Sequence, residues 1–454
     1  MVDIEKPTKR TLPFTVPLFS SFSAGLTYTL NDDGNSYAVS DTAHTLTDNF
    51  VVIPESFEGK PVTKIAAEGF SERWWVSGVA IPKTIVSIGD GAFSGSGITE
   101  LYFDAVSCAD LNARNWVFYP DGEHQNISII IGKDVEHLPA RLFFPLITDP
   151  LKIPALNGLF FEEGSALKSI GDYAFYHCSN INGVVLPDSL QSIGDYAFAD
   201  TDLTQIYLPD SLRSIGTRAF YGAEALQDVR FPHSLEAVEE QAFAYCSALR
   251  NVNLFGSAPI PFGKETFLGC EALTKINLPQ GQTILPESFA FNCSSLTETY
   301  LGNELQVIGG SAFQNCSSLS RVFLPKTLTT IGNKAFQGCS KLVTLIYDAA
   351  ACADLPSGNE VFSGCSSSLD VVIAQDVVSV PSHLFFSTSD ESSNPNITSI
   401  RFVAKALVSV GDYAFYPCQN AVAVYHFSKT LWESVSIGTH NDCLSSIVYE
   451  GASL

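Results

Sequence analysis

The sequence predicts an α/β-type repeat solenoid: a right-handed array of about 15 short coils, with a parallel β-ladder on one face and 3₁₀ or helical turns and loops on the other. Three observations lead there. The stretch "SIGDYAF" at residues 169–175 returns unchanged at 192–198 and again as "SVGDYAF" at 409–415. Phenylalanines aligned with its last residue stand at Phe70, Phe93, Phe118, Phe143, Phe175, Phe198, Phe220, Phe243, Phe267, Phe289, Phe313, Phe336, Phe362, Phe385 and Phe415, most of them 22 to 26 residues apart. Around each runs the pattern L-x-x-I-G-x-x-A-F-x-x-C-x-x-L-x-x-I-x-L-P.

Each part of the unit has a physical reading. In "I-x-L-P" two apolar positions alternate, as in a short strand with one buried face, and Pro ends it because it cannot donate to a ladder. In "SLxSIG" a second apolar stretch closes on a Gly, expected to supply a turn conformation that is costly for other residues. "DYAF" is expected to make a helical or 3₁₀ turn whose small Ala lets Phe drop into the interior. One such unit buries its face only when a neighbour stacks on it.

The ends of the array must differ from the middle, since an open last coil exposes core and strand edge. Residues 1–25 are expected to be a flexible leader, with Pro13 and Pro17 interrupting any signal-peptide core. Residues 26–60 carry alternating runs on both sides of "NDDGN", the signature of a β-hairpin cap. The solenoid proper is expected over 61–424. A C-terminal capping coil follows over 425–454, keeping "SIG", losing "AF" and offering Trp432 as an apolar plug.

A longer duplication lies inside the short one. "YFDAVSCADLNARNWVF" (102–118) matches "IYDAAACADLPSGNEVF" (346–362), and the coils that follow match as well. Both copies carry an insert, at 145–155 and 387–396, expected to project from the regular surface.

Composition excludes several classes. With 46% hydrophobic residues the chain is not disordered, and 25 Lys+Arg against 48 Asp+Glu give a net charge of -23. Such a surface repels phosphate backbones and anionic lipid, so no nucleic-acid partner and no membrane insertion are expected. No run of eighteen apolar residues is present.

The repeat also absorbs the chemistry-bearing residues. Cys178, Cys246, Cys270, Cys293, Cys316, Cys339, Cys365 and Cys418 recur with the period of the coil, three residues after the repeat Phe (four at Cys293), and none makes C-x-x-C. Ala223 stands at that position in another coil, so Cys reads there as a small buried hydrophobe, although stacked thiols would lie near enough to bond. The eight histidines are scattered at His44, His124, His137, His177, His233, His383, His426 and His440. None makes H-E-x-x-H. "GDGAFSG" at 89–95 follows the repeat and not a nucleotide-binding loop, and "NDDGN" lacks the spacing of a calcium loop. No catalytic, cofactor-binding or metal-ligating residue is read, and the chain is expected not to be an enzyme.

What remains is surface. The middle residue of "I-x-L" points away from the core onto a shared sheet face. Down the coils that face is expected to present Tyr207, Arg230, Asn253, Asn277, Tyr300 and Phe323, with Arg321 flanking. Aromatic residues and Arg are the types enriched at protein-binding hot spots. A protein partner and a monomeric chain are therefore expected, with a structural spacer carrying another domain as the alternative.

The repeat unit is similar to that of the BspA-like leucine-rich repeat family, as are "YTLNDDGNSYAVS" and "WESVSIGTHN" near the two ends. The resemblance spans about residues 26–454. It implies a leucine-rich repeat fold, a secreted or cell-surface location, and a role in adhesion to a host cell-surface or extracellular-matrix protein.

Overall fold

A computed structural model describes residues 11–16, 22–113, 115–119, 126–144, 155–254, 258–365, 368–386, 394–418 and 421–450. The two inserts read from the sequence, apart from their last residues, lie outside these ranges. The chain divides into two compact units, residues 1–234 and 235–454.

In the first unit the "I-x-L" segments form parallel strands stacked coil upon coil. Phe50–Val52, Gly78–Ile81, Glu100–Phe103, Asn126–Ile131 and Ala155–Phe161 pair in that order. Gly183–Val185, Gln205–Tyr207 and Asp228–Arg230 form a further parallel set in exact register of one coil per strand. Inward residues Val79, Leu101, Ile129 and Ile206 are fully buried. The "SI" of each unit makes a second parallel ladder of two-residue strands, His137–Leu138, Ser169–Ile170, Ser192–Ile193 and Ser214–Ile215.

The repeat phenylalanines form the expected spine. From Phe70 to Phe220 successive rings stack with centroids 5.0 to 5.7 Å apart and planes within 3 to 22°. Each ring is buried and lies at close aromatic-contact distance from its neighbours, so the spine couples every coil to the next.

Two local readings are corrected. "DYAF" is not a helical turn: Tyr173 and His177 adopt left-handed backbone (φ 57° and 60°), as do Tyr196 and Asp200 in the next coil. That geometry costs energy in non-glycine residues, but it turns successive N–H groups across to the neighbouring coil. Tyr173, Phe175 and His177 donate to Asp195, Ala197 and Ala199 carbonyls at 2.8–2.9 Å. The second correction concerns the Gly of "SIG". Gly194 has no positive φ; a Cβ there would stand 2.7 Å from the Asp172 backbone nitrogen and 2.5 Å from its carboxylate. Gly is required because the preceding coil passes too close, not because the turn is left-handed.

The second unit repeats the design. Asn251–Asn253, Lys275–Asn277 and Glu298–Tyr300 pair in parallel. A separate ladder runs through Arg321–Leu324, Thr344–Tyr347, Leu369–Ile373, Ile397–Phe402, Val422–Tyr425 and Val448–Tyr449. One coil departs. At "ESFAFNC" the Ala–Phe order is reversed, and Cys293 follows Phe289 by four residues instead of three. Phe289 accepts the backbone bond that Ala accepts elsewhere, while Ala290 donates as the repeat Phe does. The Phe289 ring still enters the spine, but edge-on: its plane meets Phe267 at 90° and Phe313 at 77°.

The cysteines are more than small hydrophobes. Cys270, Cys293, Cys339 and Cys365 donate their thiol to the carbonyls of Phe243, Phe267, Phe313 and Phe336 in the preceding coil, at 3.2–3.3 Å. Cys316 uses Ala290, which holds the Phe place in the reversed coil. Burial pushes the Cys293 thiol up to about 12, so it carries no nucleophile at neutral pH. Cys418 breaks the column: it is disulfide-bonded to Cys443 of the C-terminal coil, Cα atoms 5.5 Å apart. Nothing in the repeat period distinguished it. Trp432 is buried beside Phe402 and Tyr425, both at 5.1 Å, as the plug its position suggested.

At the N-terminal end Thr27–Leu30 pairs antiparallel with Tyr37–Ser40. Asp33 holds the "NDDGN" turn by accepting from the Asn35 and Ser36 amides. Below the hairpin Arg73 Nε lies 2.6 Å from the Asp41 carboxylate, and both side chains are buried. The pair is fully bonded, since Asp41 also accepts from the Thr45 and Leu46 amides and Arg73 donates to the Asp41 and Ser71 carbonyls. Among the described residues no helix is long and apolar enough to cross a membrane.

Candidate protein-recognition surface

The outward residues of the strands are placed by the ladder itself. Because side chains alternate, burying Ile206 and Val229 forces Tyr207 and Arg230 outward, and the one-coil register sets them side by side. In the first unit these two form a polar–aromatic pair. Arg230 Nη1 donates to the Tyr207 hydroxyl at 3.2 Å, and its guanidinium carbon lies 5.7 Å from that ring's centroid. A further contact at 3.2 Å ties it to the exposed Asp210 carboxylate. Both residues are half-buried.

In the second unit Asn253, Asn277 and Tyr300 are in register on adjacent strands, and Asn277 Nδ2 donates to Asn253 Oδ1 at 3.4 Å. Tyr300 is 49% exposed, and Phe323 in the following coil is 40% exposed. Arg321, two residues before Phe323, is also exposed. Lys275 and Glu298 form an ion pair of 3.4 Å along the flank. A shallow cavity of about 290 Å³ opens beside Tyr300, lined also by Leu278, Gly302, Asn303 and Glu304. The structure thus places each residue read from the sequence on the outward face of its own unit. Two large aromatic rings stand in water with a recess beside them.

Chemistry of other kinds finds no constellation. Among the described residues no three His, Cys, Asp or Glu side chains converge to hold a metal ion. His137 bonds to Ser169 and Asp110, and His426 lies 3.1 Å from Glu450. Asn115 and Asn359, matching positions of the duplicated block, each bind backbone carbonyls of their own and the next coil.

One surface was missed from the sequence. In the first coils the outward column is not exposed: Val52, Ala80, Tyr102 and Ile130 form a buried cluster. Phe14 and Val16, from the segment read as a leader, pack on it together with Phe50 and Phe160. The signal was present, because "VAI", "LYF", "III" and "LFF" are continuously apolar where later strands alternate.

Stacked short coils, two parallel ladders and an aromatic spine define a leucine-rich repeat solenoid. The model of the BspA type leucine rich repeat region matches residues 50–145, 168–289, 257–356 and 283–422. The chain belongs to that family, a repeat scaffold. Among solved structures it is similar to a leucine-rich repeat protein from Bacteroides ovatus, at 20% identity over 95% of this chain and 93% of that one, with a TM-score of 0.43. A leucine rich cell surface protein from Faecalibacterium prausnitzii matches at 20% identity over 97% and 100%, TM-score 0.37. The pneumococcal vaccine antigen PcpA matches at 19% over 94% and 98%, TM-score 0.35. Curated protein sequences gave no match.

Proposed function

We propose that the chain is a non-enzymatic recognition module that binds a protein through the outward face of its sheet. Tyr300 and Phe323 anchor the contact in the second unit, with Arg321, Asn277 and Asn253 around them. Tyr207 and Arg230 form a smaller contact in the first. The observation that carries the reading is the exposure of two large aromatic side chains on consecutive coils whose backbones are held rigidly by the ladder. A fixed aromatic side chain loses little entropy on binding and contributes a large area, the property of a hot-spot residue. Membership in the BspA type repeat family supports a cell-surface or secreted location, and the partner proposed here is a host cell-surface or extracellular-matrix protein. The net charge of -23 favours a partner with a basic face.

The test compares the native chain with Tyr300→Ser/Phe323→Ser in capture from host-cell and extracellular-matrix extracts. The native chain should retain a partner that the double variant loses, with the two circular dichroism spectra superimposable. Equal capture by both would remove the sheet face as the site, and capture of no partner by either would leave the spacer reading in its place.

A further inference from the structure

The first unit holds a second surface of different character. Residues 12–16 run over the outward column of the first coils. Alternate residues turn down: Phe14 and Val16 are half-buried, while Pro13 and Thr15 are exposed. Phe14 stands 6.3 Å from Phe50, ring to ring, over the floor made by Val52, Ala80, Tyr102 and Ile130. The chain is tied down again beyond this stretch, where Ser23 donates its amide to the Val52 carbonyl and accepts from the Val52 amide. A segment that bends at Pro13 and Phe14 and turns Phe14 and Val16 down therefore lies in an apolar trough on a sheet face.

The trough does not end where the segment does. Leu12 lies at the edge of a cavity of about 900 Å³ whose floor includes Phe160 and Val185. Its rim carries three carboxylates, Glu162, Glu163 and Asp188, against one cation, Lys133. Glu162 is held in place, accepting from the Lys133 amide at 2.9 Å and from the Tyr102 hydroxyl at 3.3 Å. An apolar floor with a fixed carboxylate on its rim suits a ligand that is apolar at alternate positions and cationic next to them. The chain itself writes that chemistry: Lys9 and Arg10 stand three and two residues before Leu12, the first of the alternating apolar residues Leu12, Phe14 and Val16.

We propose that the outward trough of the first coils is a site for a peptide with apolar residues at alternate positions and a basic flank, and that residues 12–16 occupy it in cis. A peptide of that chemistry gains access by displacing the segment. Occupancy in cis lowers the apparent affinity of the outside peptide by the fraction of chains in which the trough is open.

The probe is a fluorescein-labelled peptide of residues 9–16, KRTLPFTV, followed by anisotropy on the full chain. Phe14→Ser/Val16→Ser should bind it about tenfold or more tightly than the native chain does. A scrambled peptide should bind neither. Glu162→Gln in the double-variant background should weaken KRTLPFTV and leave AATLPFTV unchanged. A second measurement does not depend on releasing the segment by substitution. Thr15→Cys, labelled with an environment-sensitive dye in an otherwise native segment, should shift its emission when excess KRTLPFTV is added and not when the scrambled peptide is. Equal affinity of the double variant and the native chain, or equal binding of the scrambled sequence, would overturn the proposal. An unmoved Thr15 label would do the same.

Discussion

Tyr102 and Tyr300 are the same residue at the same place in the coil, the middle of "I-x-L". Tyr102 is 4% exposed and Tyr300 49%. The ladder gives both the same direction, so the difference comes from what lies above the sheet. Over the first coils Phe14 and Val16 cover the column, and its strands are apolar on both faces. In the second unit Tyr300 and Phe323 of the column are exposed, and its flanks are charged or polar at Lys275, Glu298 and Arg321. A repeat position thus fixes where a side chain points but not whether it meets water. Covered, the outward face acts as a second core; bare, it stays open to solvent.

The comparison can be pressed with substitutions at the covered and the bare face. The largest effect is expected at the covered end, where Arg73→Met strands the buried Asp41 carboxylate and should cost about 3–5 kcal/mol in urea unfolding. The matching change at the bare face, Lys275→Met, removes an ion pair whose partners are about half or more exposed. It should stay within about 0.5 kcal/mol. Phe14→Ser uncovers part of the trough and, for a half-buried ring, should cost about 1 kcal/mol. A stability loss at Lys275 equal to that at Arg73 would erase the distinction between the two faces.

A smaller effect is set by pH. Asp104 sits beside the covered Tyr102, and burial first, then Glu162 and Asp134, raise its carboxyl from 3.8 to about 6. The folded chain then holds the proton more tightly than the unfolded one, so this group makes stability fall as pH rises between about 4 and 6. Asp104→Asn should flatten that part of the urea-midpoint profile and raise stability at pH 7 relative to the native chain. Asp348, its counterpart in the duplicated block, is raised by burial and by Asp376. Asp348→Asn should act in the same direction.

Much of this was legible in the sequence. The period of the phenylalanines gave the coil, "I-x-L" gave the ladder, "NDDGN" gave the hairpin and Trp432 gave the plug, because each depends on residues within one unit. The sheet-face residues were legible for the same reason, since alternation alone sends Tyr300 and Phe323 outward. What escaped reading depends on contacts between distant residues. The Asp41–Arg73 pair spans 32 positions, and the bond from Cys418 to Cys443 joins a column member to the cap. The Gly of "SIG" was read for its turn when the cause lies in the neighbouring coil. At Phe289 the four-residue step to Cys293 and the backbone bonds put Ala290 in the repeat Phe's backbone position, while the Phe289 ring still joins the spine.

The most direct measurement is a paired urea unfolding of Tyr102→Ser and Tyr300→Ser at pH 7. Loss of a buried ring should cost Tyr102→Ser about 3–5 kcal/mol, while Tyr300→Ser should remain within about 0.5 kcal/mol of the native chain. Equal losses at the two positions would contradict the account, because the outward face would then be the same kind of surface from end to end.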